Sequence, residues 1–127
     1  MKKTSRKNLI KKLDTVFSIY IRLSNADRNG NCNCFTCGKT LHWKKIQAGH
    51  FMSRKHYATR WVEDNVKPQC SACNVFRYGE QYLFSKKLGE QLSNKMLRDS
   101  REVVKFADID ILQLIELYSL KLKKLGY

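Results

Sequence analysis

Five cysteines carry the most specific chemistry in this chain: Cys32, Cys34, Cys37, Cys70 and Cys73. Four of them form two Cys-x-x-Cys pairs, 34/37 and 70/73. Two residues between thiolates let one tight turn aim both sulfurs at a single ion. Two such turns complete a tetrahedral structural zinc site. Two disulfides are the alternative use. They need an oxidising compartment, and the sequence carries no sign of one. Met1-Lys2-Lys3 resembles the start of a secretory leader, but no uninterrupted apolar run follows. The best run, Val16 to Ile21, is closed by Arg22 and is too short to span a bilayer. The expectation is a cytoplasmic chain with reduced thiols, bound zinc and no membrane partner. Cys32 is left over, as an alternative ligand or a spare thiol.

Thirty-two residues separate the two pairs, more than a zinc ribbon needs. A hairpin and a functional loop would fill that interval. His50 lies inside it, in Ala48-Gly49-His50-Phe51, and Asn65 follows in Asp64-Asn65-Val66. Asn74 comes directly after the last cysteine. A lone histidine on a strand is usually structural. One held between two zinc knuckles and followed by two asparagines is a candidate for chemistry.

The charge balance is 25 Lys+Arg against 11 Asp+Glu, or +14. Such an excess suits a polyanionic partner, because neutralised phosphates release condensed counterions. A basic protein without such a partner is the plainer alternative, and an anionic membrane surface a weaker one.

Other segments must hold this centre in place. At 127 residues and 43% hydrophobic the chain suits a single domain, 1–127, without a linker or internal repeat. A domain of this size gains from a metal staple. Leu9, Leu13, Val16, Phe17 and Tyr20 predict a helix over 6–24, with Ser5 as its cap. Asn25 to Asn33 reads as a loop. A short β-hairpin is expected between Cys34 and Cys73, with a loop around Ser53–Asn65. Helical signals run from Cys70 to about residue 101, broken at Gly79 and Gly89. A last helix is expected over 109–125, N-capped by Asp108. Its stripe of Ile111, Leu112, Ile115, Tyr118, Leu122 and Leu125 is a core face or a dimer face.

The order His…Asn…Asn wrapped by two Cys-x-x-Cys pairs resembles an HNH nuclease. More narrowly, the chain resembles the NinG/Rap recombination endonucleases of lambdoid phages. Cys34-x-x-Cys37-Gly38, Ala48-Gly49-His50-Phe51, Arg60-Trp61, Asn65, Gln69-Cys70-x-x-Cys73-Asn74 and Arg77 carry the resemblance. The first helix, ending Ile21-Arg22, and the last, with Tyr118 and Lys121-Leu122, also fit. Many HNH enzymes place an acid before the histidine and a second histidine after the last cysteine. Here those positions are Gly49 and Asn74.

The resemblance implies an α+β fold, with a ββα-metal (HNH, treble-clef-like) core over about 32–80 and flanking helices. It implies metal-dependent hydrolysis of DNA in branched recombination intermediates such as Holliday junctions or D-loops. Cleaving both strands of a junction would call for two protomers, so a homodimer is a further expectation. His50 is then the general base, since an imidazole pKa of roughly 6.5 leaves it largely neutral at cellular pH. Asn65 would hold the histidine-bearing loop, because an amide both donates and accepts. Asn74 would offer a neutral oxygen to a catalytic Mg²⁺ or Mn²⁺. Arg54, Arg60 and Arg77 are candidate phosphate contacts. His56 is a second ligand or a surface-loop histidine, His42 is incidental, and Trp43 and Trp61 read as core before base-stacking residues. A zinc-stapled nucleic-acid binder without catalysis, or a zinc-stapled interaction protein, would use the same knuckles.

Overall fold

Leu9, Leu13, Phe17 and Ile21 recur every fourth residue, which places them on one face of a helix. In the computed structural model, which describes residues 4–127, they are the buried face of α1, Arg6–Ser24. The Met1-Lys2-Lys3 start lies outside the described residues. Ser5 caps α1, its Oγ accepting the Asn8 N–H at 3.2 Å.

The element that covers α1 comes from the far end of the chain. The last helix, α5, spans Asp108–Lys124 and turns Ile111, Ile115, Tyr118 and Leu122 inward. The Phe17 and Tyr118 rings meet edge to face, with centroids 4.9 Å apart. Leu112 and Leu125 of the expected stripe are exposed. Most of the stripe read as a core or dimer face is therefore spent inside the chain, against α1. The expected cap is corrected as well. Ala107 is the last extended residue before the helix, and its N–H donates to the Asp110 carboxylate at 2.8 Å. Asp108 sits in the first turn and accepts from Arg6 Nη1 at 3.0 Å.

One hairpin was expected in the middle of the chain, and the structure has two antiparallel pairs. β1 (Asn31–Asn33) pairs with β2 (Thr40–His42), with Cys32 opposite Leu41. β1 takes the end of the segment read as a loop. Asp27 Oδ1 prepares it by accepting the N–H groups of Asn29 and Asn31, both at 2.9 Å. β3 (Gln47–His50) pairs with β4 (Val66–Gln69), with His50 opposite Val66 and Gly49 opposite Lys67. Between β3 and β4 the chain makes the short helix α2 (Tyr57–Arg60) and a 3-10 turn at Glu63–Asn65.

After β4 comes a π-helical turn, Ala72–Phe76, and then α3 (Gln81–Leu88) and α4 (Glu90–Ser100). The breaks fall at Gly79 and Gly89, both at positive φ. Phe84 of α3 and Met96 of α4 are buried with Phe51, which ties these helices to the end of β3. The architecture is mixed α+β, with two small antiparallel sheets among the described residues. No described helix is long and apolar enough to cross a membrane.

Phe17 is 1% exposed at the centre of the α1–α5 seam. Phe17→Ala is expected to cost about 3–5 kcal/mol. The measurement is a lowered urea midpoint at unchanged slope.

Candidate functional site

The two hairpins meet through their cysteines. Cys34 and Cys37 lie in the turn joining β1 to β2. There the Cys34 N–H donates to the Lys39 carbonyl at 2.8 Å, and the Gly38 N–H to the Cys34 carbonyl at 2.9 Å. Gly38 closes that turn at φ +81°, the left-handed region glycine adopts without penalty. Cys70 and Cys73 lie at the junction of β4 and the π-helical turn, where the Asn74 N–H donates to the Cys70 carbonyl at 2.9 Å. All four sulfurs lie within 4.8 Å of one another, and Cys37 and Cys70 are 3.7 Å apart. A tetrahedron with Zn–S bonds of about 2.3 Å has S···S edges of about 3.8 Å. The donor set, its geometry and its softness fit zinc.

The thiols are not equivalent. Burial pushes Cys73 up to about 12. Burial also raises Cys34, but hydrogen bonds from the Thr36 hydroxyl and from backbone N–H groups outweigh it and bring this thiol down to about 6. Four thiolates so close need a cation to hold them. Cys32 stays outside the four, buried on β1 among Ile46 and Leu41. It is the spare thiol, pushed up by burial.

A buried amide connects this centre to the histidine strand. Gln69, 0% exposed, donates from Nε2 to Thr36 Oγ1 at 3.1 Å and to the Gly79 carbonyl at 2.9 Å. Thr36 Oγ1 lies 3.5 Å from Cys34 Sγ, so its proton is free to point at the sulfur. The Gln69 side chain also lies flat on Gly49: a Cβ built there would fall 1.8 Å from Gln69 Oε1. The acid that many HNH enzymes carry before their histidine has no room at this position.

His50 ends β3 and is partly buried. Its Nε2 lies 2.9 Å from the Arg60 carbonyl. A carbonyl only accepts, so Nε2 carries the proton and Nδ1 keeps its lone pair. Burial lowers the His50 pKa below the usual imidazole value, so the ring is neutral at pH 7. Asn65 is fully buried and ties the segment after β3 and the helix α2 to its own 3-10 turn. Its Oδ1 accepts the Met52 N–H at 2.8 Å, and its Nδ2 donates to the carbonyls of Met52 and Thr59 at 3.0 and 3.1 Å. The segment after His50 is thereby fastened to the 3-10 turn.

His50 and Asn74 line one open cleft of about 880 Å³, together with Asp14, Arg54, His56 and Gln81. Asn74 Nδ2 donates to Gln47 Oε1 at 2.8 Å, which leaves its Oδ1 as an acceptor. Arg54 is exposed at the cleft, 3.9 Å from Asp14. Arg77 is exposed beside the cysteines, with Nη1 4.0 Å from Cys73 Sγ. Arg60 behaves differently. Its Nη2 and Nε bind the Asp14 carboxylate at 2.6 and 3.1 Å, its Nη1 donates to the Arg54 carbonyl, and the side chain is 14% exposed. Its guanidinium is thus engaged within the chain, unlike the exposed Arg54 and Arg77. Trp61 is core, with Nε1 donating to Asp14 at 2.9 Å. Trp43 is half-buried under Arg22. His42 packs beside Trp43, away from the cleft.

Asp14 is the residue sequence reading missed. It lies on α1, and its partners stand forty-six and forty-seven positions away. Its only local signal is an acid among the apolar positions of an otherwise basic helix.

The NinG family, described as the bacteriophage lambda NinG protein, matches residues 1–126, and the chain belongs to it. Among curated proteins and solved structures none matches.

Two outcomes follow for the metal centre. The purified chain should carry about one zinc, and Cys34→Ser should reduce that content in a colorimetric zinc assay. Gly49→Ala should lower stability by about 1–3 kcal/mol through overpacking. Gly49→Ala with Gln69→Ala should recover part of the loss, read from the shift in urea midpoint.

Proposed function

We propose that the chain is a metal-dependent endonuclease of the HNH type that hydrolyses phosphodiester bonds in DNA. The observation that carries this reading is the state of His50. Its proton is fixed on Nε2 by the Arg60 carbonyl, its free Nδ1 belongs to a ring lining an open cleft, and burial keeps that ring neutral. That is the form a general base needs to take a proton from an attacking water. The order of β3, β4 and the π-helical turn, with cysteines at its end, supports a ββα-metal core.

The roles divide among the chain's own residues. Asn65 holds the segment that follows His50. Asn74 would hold Mg²⁺ or Mn²⁺ through its free Oδ1, a hard neutral oxygen. Such an ion, when bound, supplies positive charge to a phosphate gaining negative charge. Arg54, at the cleft, and Arg77, next in sequence to the cleft-lining Tyr78, would hold flanking phosphates. The net charge of +14 favours DNA as the polyanion. Membership of the NinG family supports branched recombination intermediates, Holliday junctions or D-loops, as the substrate class.

A zinc-stapled nucleic-acid binder without catalysis is the second reading. One observation favours it: among the described residues only the four cysteines gather three or more metal-ligating side chains. The cleft would thus hold a catalytic cation by few and mostly neutral groups.

The test is incubation with Mg²⁺ or Mn²⁺ and labelled four-way junction, linear duplex and single-stranded DNA, beside His50→Ala. The nuclease cuts in a metal-dependent way, and the variant loses about 10²–10⁴-fold in rate. Binding by both proteins with cutting by neither establishes the binder. The pH profile adds a signed check. The base form exists above the His50 pKa, which burial lowers. Cleavage should therefore persist as pH falls through roughly 6.5 and decline only below it.

A further inference from the structure

The segment from Val75 to Leu83 carries three exposed aromatic side chains that packing does not explain. Phe76, Tyr78 and Tyr82 are 77%, 90% and 72% exposed. Buried aromatics dominate cores, and a run of solvent-facing ones at a cleft marks a binding surface. Tyr78 lines the same cleft as His50 and Asn74, as do Gly79 and Gln81.

The backbone here is costly. Tyr78, Gly79 and Glu80 are three consecutive residues at positive φ, +54°, +89° and +48°. Glycine accepts that conformation freely, but a tyrosine and a glutamate do not. The turn persists because it is anchored from below. The Gly79 N–H donates to the Cys73 carbonyl at 2.8 Å, and Gln69 Nε2 donates to the Gly79 carbonyl at 2.9 Å. The metal centre thus holds a strained turn whose tyrosine ring gains almost no burial. Strain maintained in this way clusters at functional sites.

The charge around the rings selects the occupant. Lys86 places its ammonium 4.9 Å from the centre of the Tyr82 ring, Lys87 is exposed on the same helix, and Arg77 lies between Phe76 and Tyr78. The one acid in the segment, Glu80, is 3.9 Å from Arg77, which stays 58% exposed. A second copy of a chain at +14 would bring like charge against like. A polyanion with flat π-faces fits instead: aromatic rings interleaved with cations are how single strands are held, by stacking on the bases and pairing with the backbone.

We propose that Phe76, Tyr78 and Tyr82 form a stacking platform for unpaired nucleotides at a DNA branch, beside the His50 cleft. The proposal rests on the DNA reading above and gives it a structural basis for preferring branched over continuous duplex. Bases inside a duplex are stacked on each other and cannot use the platform. Bases in a single-stranded flap, or in the displaced strand of a D-loop, can.

The test is binding, read without catalysis. Zinc-loaded full-length protein, with no Mg²⁺ or Mn²⁺ added, is titrated into a linear duplex and into the same duplex carrying a single-stranded flap. A fluorescent adenine analogue sits at the first flap positions. Wild type should bind the flap substrate more tightly and quench the analogue. The combined Phe76→Ala, Tyr78→Ala and Tyr82→Ala variant should lose about 5- to 150-fold in flap affinity for each base released from the platform. Its duplex affinity and zinc content should be unchanged. Tyr78→Phe with Tyr82→Phe should keep the quenching, since the ring and not the hydroxyl does the stacking. Equal loss on both substrates, or no loss on either, overturns the platform while leaving the DNA reading in place. A wild-type dimer in sedimentation that the triple variant breaks overturns it in favour of a copy-to-copy interface. Failure of the wild type to bind either DNA sinks the DNA reading, and the platform with it.

Discussion

Four cysteine sulfurs converge within 4.8 Å of one another, close enough to share one metal ion, and the middle of the chain is organised around that convergence. β1–β2 and β3–β4 are separate two-stranded pairs of three and four residues per strand. A lone hairpin of that size is marginal in water. Here the turn of the first pair and the exit of the second meet at Cys34, Cys37, Cys70 and Cys73. Structural zinc contributes about 10–16 kcal/mol to folding in small domains, on the order of a whole domain's net stability. The helices supply the other support. α1 and α5 bury their apolar faces in each other and against Trp61 and Val66, so the two hairpins rest on a conventional core.

The metal centre reaches the cleft through Gln69. Its amide nitrogen bridges Thr36 at the first knuckle and Gly79 after the second, while its oxygen lies against Gly49 with no hydrogen-bond partner. A buried, unpaired carbonyl oxygen costs about 1–3 kcal/mol. It is retained where one side chain does three things at once: it orients a hydroxyl at a sulfur, holds the left-handed turn at Gly79, and packs into the space a side chain at position 49 would need. Because successive side chains on a strand face opposite ways, filling the Gly49 side with Gln69 leaves the other side to His50. Any side chain at position 49 is excluded on this steric ground.

How much of this was legible in the chain depended on the range of each interaction. The two Cys-x-x-Cys turns are local, and their spacing alone led to the four-sulfur cluster. The periodicity of Leu9, Leu13 and Phe17 likewise placed α1, and Gly79 and Gly89 marked the breaks between helices. Strands of three or four residues carry too little alternation to be separated by pattern, so two hairpins read as one. The cap of α5 was misplaced by one residue because Asp108 and Asp110 present the same chemistry, and only the backbone angles of Ala107 decide which one serves. Asp14 and Arg60 were out of reach for a different reason: each is ordinary by itself, and their meaning lies in a contact across forty-six positions.

That contact bears on the histidine. The last carbonyls of a helix have no partner within it. Arg60 is the last residue of α2, and its carbonyl is the one that accepts from His50 Nε2. Asp14 binds the Arg60 guanidinium through both carboxylate oxygens and takes the Trp61 indole N–H as well, so α1 pins the end of α2 from the side. A bidentate arginine–carboxylate pair fixes direction as well as distance. The tautomer of His50 is therefore set by a chain of contacts that begins at Asp14, thirty-six positions earlier in the sequence. Arg60 thus acts in the structure as the strut that aims an imidazole.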